Sequence, residues 1–339
     1  MRIVLAFGLS LTAATGFGDL CRGASPRHME NLTRGIVAIK QPSGVYIGWR
    51  LFATDPEETS FNLYRVSDGG VPVRVNEAPI TRAGNYVDVG GDPNRELQYF
   101  VRPVLHGEEL APSEPAKAWD REYIEIPIRP ITEYRPGDAS VGDLDGDGDY
   151  EIVLHQVSHG RDNSFAGVTG TPVFDAYELD GTLLWRIDLG INIREGEHYT
   201  QFMVYDLDGD GRAEMVCKTA DGTMDGRGHV IGDKEKDWRT HKPGDRTDGR
   251  ILDGPEYLTV FDGTTGAALK TVDYIPSRYP IDGWGGIGGN GGNDNYGNRC
   301  DRFLACVAYL DGVRPSVVMC RGVYGRIVLA AWDWRDGEL

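Results

Sequence analysis

The chain has 339 residues, 40% hydrophobic and 26% charged, enough to build ordinary buried cores. Its formal net charge of -17 excludes a nucleic-acid binder working through basic surface. An acidic ligand is not excluded, because bound cations would cancel many of these carboxylates. At the N-terminus, Arg2 and the mildly apolar run IVLAFGLSLTAATGFG predict an export signal over 1–18, hence a secreted or periplasmic protein. The run is too short for a stable membrane span.

From residue 28 the runs GVYIGWRL, SFNLYRV, NYVDVG, LQYFVRPVL and YIEIPI are rich in Val, Ile, Tyr and Phe and are separated by turn formers. They predict a small antiparallel β-sandwich over 28–130. The stretches GWR, FNLYR and YFVRPV within it resemble fibronectin type III modules.

From residue 134 the chain repeats. Each unit carries a strand, an acidic turn, a second strand, a connection and then a hairpin. The first strand pairs are DASVGDLDGDGDYEIVLHQ, YTQFMVYDLDGDGRAEMVCKT and RFLACVAYLDGVRPSVVMCRG. Four strands per unit is the pattern of propeller blades, so 134–339 is expected to be a partial β-propeller of about three blades. The third stops one strand short, at Leu339, and three blades do not close a ring; the chain is expected to be the front part of a longer protein, monomeric at full length. The cysteines Cys21, Cys217, Cys300, Cys306 and Cys320 have no metal spacing and read as buried thiols. A hairpin of 303–309 with 316–322 would set Cys306 roughly opposite Cys320, leaving a disulfide as the less favoured alternative.

The acidic turn is written twice, as DLDGDGDYEIV from Asp143 and DLDGDGRAEMV from Asp206. Alternate Asp side chains converge, Gly permits the sharp turn and Glu closes the shell, which suits Ca²⁺. The expected ligands are Asp143, Asp145, Asp147 and Glu151, and Asp206, Asp208, Asp210 and Glu214, with backbone carbonyls at Asp149 and Arg212. An EF-hand is excluded, because position twelve of the loop holds Leu154 or Cys217 and strands flank the turn. The third unit has Tyr309, Asp311, Val313 and Val317 at the ligand positions, so no ion is expected there.

These turns would all lie on one face, and the opposite face is where chemistry is expected. Aligning the units places His155, Lys218 and Arg321 at equivalent ends of second strands. Arg135 and His198 align at the starts of first strands, as do Tyr199 and Arg302. A face carrying Arg135, His155, His198, Lys218, Arg302 and Arg321 suits an anionic ligand. The connection from 221 to 256 is long enough to be functional, and Trp238 within it is a candidate for stacking on a sugar. The Gly/Asn-rich stretch from Gly283 is a second candidate rim loop.

The runs ASVGDLDGDGDYEIVL, YELDGTLLWRIDLG, IREGEHYTQFMVYDLDGDGRAEMVCKTADGT, NDNYGNRCDRFLA and VLAAWDWRDG, with MENLTRGIVAIK and SGVYIGWR upstream, strongly resemble the bacterial rhamnogalacturonan lyases of polysaccharide lyase family 11. The resemblance implies an eight-bladed, Ca²⁺-rich propeller that cleaves the rhamnose–galacturonate backbone of rhamnogalacturonan I by β-elimination. It also implies a further calcium ligand at Asp138, although Gly137 stands where the family's Asn precedes that Asp. The family's base is expected beyond Leu339. His198, Tyr199 and Lys218 are therefore catalytic candidates to be tested first for substrate binding. The rival reading is a non-catalytic calcium propeller that binds carbohydrate or protein. A glycoside hydrolase ranks last, because no facing pair of carboxylates stands out among the other acids.

Overall fold

The computed structural model describes residues 27–162, 164–285 and 296–339. The export signal over 1–18, Cys21 and most of the rim loop after Gly285 lie outside the described residues. The chain is all-β: its only helical element among the described residues is a single 3-10 turn at Ile281–Trp284. No described helix is long and apolar enough to cross a membrane.

The N-terminal strands follow the two-residue period of a half-buried sheet. In Leu97–Leu105 the residues Leu97, Tyr99 and Val101 point inward while their neighbours are partly exposed. Ser60–Ser67 pairs antiparallel with it along its whole length. Val37–Gln41 pairs antiparallel with Gly44–Gly48 and parallel with Ala116–Trp119, which links everything into one nine-stranded sheet. The sheet curls over a single core of Ala38, Val45, Ile47, Phe61, Leu63, Tyr99 and Val101. The run YIEIPI, expected as a strand, makes no ladder; Tyr123 and Ile124 are exposed and the segment is an extended linker. Its end is tied down where the Arg129 amide donates to the Tyr177 hydroxyl at 3.0 Å.

Three sheets follow, one per repeat. The first holds Arg135–Gly142, Glu151–Val157, Val173–Tyr177 and Leu183–Asp188; the second holds Phe202–Tyr205, Glu214–Thr219, Tyr257–Phe261 and Ala268–Asp273; the third holds Phe303–Ala308, Ser316–Arg321 and Val328–Trp332. Alternation lets the second sheet bury both faces. Met215 and Cys217 pack with Val153, Phe174, Trp185 and Ile187 of the first sheet. Val216, Leu258 and Val260 point the other way, against Phe303, Val317, Met319 and Trp332 of the third. The Trp185 indole donates across the first interface to the Gly263 carbonyl at 2.6 Å.

Two features were not expected. The segment after Thr219 crosses back: Thr223–Met224 and Val230–Ile231 form a small hairpin that extends the first sheet, with Met224 opposite Asp188. In the third sheet Cys306 faces Val318 and Cys320 faces Leu304, so the two thiols are diagonal rather than opposite. Both are free, and Cys306 is exposed rather than buried, whereas Cys217 and Cys300 are buried as expected.

Candidate functional site

The two acidic turns are alike bond for bond. Asp143 Oδ1 accepts from Gly146 N at 2.7 Å and Oδ2 from Gly148 N at 2.8 Å; Asp206 does the same with Gly209 at 2.7 Å and Gly211 at 3.0 Å. Asp145 and Asp208 each accept from the amide two residues on at 3.1 Å. Glu151 and Glu214 reach back to the Leu144 and Leu207 amides, at 2.6 Å and 2.9 Å. Carboxylate oxygens of Asp143, Asp145 and Glu151 lie within 4.8 Å of one another, as do those of Asp206, Asp208 and Asp210. Asp147 and Glu214 stand outside these tight sets. An all-oxygen, multiply acidic donor set of this size fits Ca²⁺. Burial, with neighbouring Asp charges adding, pushes the Glu151 carboxyl up to about 7 and that of Glu214 to about 8. A bound cation would reverse that pressure. In the third unit Asp311 instead receives Arg314 at 2.9 Å, together with the Val313 and Arg314 amides.

Across the sheets from these turns, a cleft of about 480 Å³ opens where the first sheet begins and ends. Arg135, Asp138 and His155 line it, with Arg161, Asp162, Glu195 and Glu197. His155 is buried, and its Nε2 meets Glu195 Oε2 at 3.2 Å; the same oxygen accepts from the Ser158 amide. The other Glu195 oxygen is buried without a hydrogen-bond partner. His198 borders the cleft through Asp162, at 3.3 Å.

Behind the next strand ends lies a buried ionic cluster. Glu256 receives Arg321 at 2.7 Å, Lys218 at 3.0 Å and Arg278 at 3.0 Å, and Arg321 also approaches Asp301 at 3.4 Å. Burial alone would raise the Glu256 carboxyl, but Lys218, Arg321 and Arg278 more than reverse this and hold it well below the carboxylate range. The equivalent side chains His155, Lys218 and Arg321 are thus each met by an acid.

Comparison with known proteins places these features. Residues 129–339 match the family description "Rhamnogalacturonan lyase family 11, C-terminal domain", and residues 27–119 match "Rhamnogalacturonan I lyases beta-sheet domain". The chain belongs to rhamnogalacturonan lyase family 11. It is 50% identical over 325 residues to the rhamnogalacturonan exolyase YesX of Bacillus subtilis (strain 168), which covers 92% of this chain and 50% of the relative. It is 46% identical over 348 residues to the endolyase YesW of the same organism, covering 99% of this chain and 52% of the relative. The crystal structure of the exotype lyase YesX superposes with a TM-score of 0.80 at 50% identity, over 93% of this chain and 50% of that one. The Bacillus licheniformis rhamnogalacturonan lyase PL11 gives 0.78 at 51% identity, over 93% and 52%. The chain thus spans about half the length of the relatives it matches.

Within this lyase-family frame the expected face divides. Arg135, Asp138 and His155 share the cleft, with His198 at its border. Arg302 is half-buried beside it and acts on the charge of Asp162. Arg321 is corrected: it is fully buried, and its guanidinium is committed to Glu256, Asp301 and the Cys300 and Pro276 carbonyls, so it does not line the face. Tyr199 is also buried, its ring under the Arg194 guanidinium at 5.2 Å, and burial raises its phenol. Trp238 is half-buried, and its indole donates to Asp221 at 2.9 Å while Gly254 closes on the ring. That geometry makes it a pillar of the 221–256 connection. Glu195 and Glu256 were missed by the sequence reading. For Glu256 there was a faint signal: an acid directly before the buried strand YLTVF needs a partner. Glu195, in an irregular connection, gave none.

Proposed function

We propose that this chain supplies the calcium-dependent polysaccharide-binding surface of a rhamnogalacturonan lyase, and that its substrate is rhamnogalacturonan I. The observation that carries this is its 50% and 46% identity to two proteins named rhamnogalacturonan lyases, across both the curled sheet and the stacked sheets. On this reading 28–130 is a fibronectin III-like sandwich, 134–339 forms successive propeller blades, the 1–18 segment directs export, and the full-length protein is a monomer.

The charge of the cleft supports a cation-assisted route. Asp138, Asp162, Glu195 and Glu197 outnumber Arg135 and Arg161, so a polyanion needs a cation between itself and this floor. The unpartnered Glu195 oxygen and Asp138 are the residues that would hold one there. When bound, Ca²⁺ supplies charge to the galacturonate carboxylate and so makes the C5 proton removable. In the elimination a base takes that proton, C4=C5 forms, the bond from C4 to the glycosidic oxygen breaks, and that oxygen is protonated. Arg135, exposed at the mouth, is placed to orient an incoming carboxylate. His155 and His198, fixed by Glu195 and Asp162, present rings of set orientation. Lys218 has its ammonium committed to Glu256 and serves as local charge.

The test is affinity electrophoresis of the chain in rhamnogalacturonan I gels, with calcium and with chelator, alongside ultraviolet absorbance for the C4=C5 product. Calcium-dependent retardation supports the proposal, and Arg135→Ala should weaken it. Absorbance growing with time would place the proton-abstracting group within these residues. A folded, calcium-loaded chain that neither binds nor cleaves the polymer overturns the reading.

A further inference from the structure

The segment 27–33 runs as a strap across the acidic-turn face and touches the equivalent loop of all three repeats. In the first, the Thr33 amide donates to the Gly148 carbonyl at 2.8 Å and the Thr33 hydroxyl to Asp149 Oδ1 at 2.7 Å. Gly148 is held so close that a Cβ there would stand 2.8 Å from the Thr33 methyl. The next residue, Tyr150, donates to Glu30 at 3.4 Å, and its ring carries Arg50 at 4.4 Å, which in turn donates to the Thr33 carbonyl. In the second repeat the contact is slight: the His28 ring lies over Gly209. In the third, His28 donates its amide to the Val313 carbonyl at 2.8 Å and accepts at its own carbonyl from Tyr309.

The strap therefore grips three consecutive residues, 148–150, of one cation loop and barely touches the other. Those three residues contain the peptide carbonyl expected to ligate, at Asp149, and lead directly into Glu151. The Asp149 carboxylate is engaged by the strap through the Thr33 hydroxyl.

We infer that segment 27–33 is a cation-dependent clasp: an ion in the Asp143 loop and docking of the strap, with the curled sheet behind it, stabilise one another. The inference rests on the Ca²⁺ reading of the two loops. Linkage requires the coupling to be reciprocal. It also predicts an asymmetry that general destabilisation would not produce, since only the first loop is gripped.

The experiment uses the whole chain and Ca²⁺ alone. Calorimetric titration gives the loop affinities, assigned with D145N and D208N, each of which silences one loop. Hydrogen exchange follows the amides of 28–33 with and without Ca²⁺. The expected result is slower exchange in the strap on loading, and a loss of about fivefold in affinity at the first loop alone in T33V, the value of one net hydrogen bond. Circular dichroism checks that T33V is folded. Ca²⁺ binding with unchanged strap exchange, or equal affinity in T33V and the parent chain, overturns the clasp and leaves the loops as metal sites. No binding at either loop overturns both.

Discussion

At the scale of single residues, pairing decides what each charge can do. Glu256 is one acid among three cations, so Glu256→Gln strands Lys218, Arg278 and Arg321 in a buried site. The expected loss is about 3–5 kcal/mol, read by denaturant unfolding. Lys218→Ala leaves Glu256 with two partners and should cost far less, while weakening retention in rhamnogalacturonan gels if its charge serves the face. The turn carboxylates give a pH signature. The ordinary value of a glutamate carboxyl is 4.5, yet Glu151 and Glu214 stay protonated in the ion-free fold until about 7 and 8. Between those limits the unfolded chain binds fewer protons, so the stability of the chelated protein falls as pH rises from 4.5 to 8. With saturating Ca²⁺ the trend should flatten or reverse, because the ion takes the ionised form; thermal unfolding across that range checks it. The clustering of the turn carboxylates was legible in the sequence because an alternating Asp pattern leaves little else to build. The cleft was half legible: aligned strand ends gave Arg135 and His155, but their acidic partners come from connections whose course no periodicity records.

At the scale of elements, the period-two patterns told which strands exist and which faces they bury, and the repeat gave the three successive sheets. They failed at YIEIPI, where alternation is present but no neighbouring strand is available to pair with it. They also failed at the 221–256 connection, whose hairpin joins the sheet before its own. That connection is held by close backbone crossings. Gly249 lies at φ +69, and a Cβ there would meet the Gly167 backbone at 2.2 Å. The same Gly167 donates to the Asp248 carbonyl at 2.7 Å and accepts from Arg194, beside the cleft. Gly249→Ala should therefore separate the two loops, at about 1–3 kcal/mol for the backbone strain alone. Limited proteolysis should then cut within 160–170 or 240–250, where the parent chain resists.

At the scale of the whole molecule, a net charge of -17 works against compactness, and much of it is concentrated in two acidic turns whose Asp143, Glu151, Asp206 and Glu214 are buried. Cations bound to the folded state only should stabilise by about 2.7 kcal/mol per site at a hundredfold excess over Kd. Chelation is thus expected to lower the melting temperature markedly and added Ca²⁺ to restore it, while matched NaCl restores little. A melting temperature indifferent to chelator would remove the ions from the account of stability.

The crossing hairpin has a consequence for biosynthesis. In an array of repeats each unit ordinarily touches only its neighbours and can form as soon as it is made. Here the outer edge of the first sheet, at Asp188, is not covered until Thr223–Ile231 has been synthesised. A nascent chain ending before that point carries an open strand edge, the kind of surface that invites wrong pairing. The first two repeats should therefore mature on the ribosome as one unit, and an arrest placed between 190 and 220 should yield a product that chaperones hold and proteases readily cut.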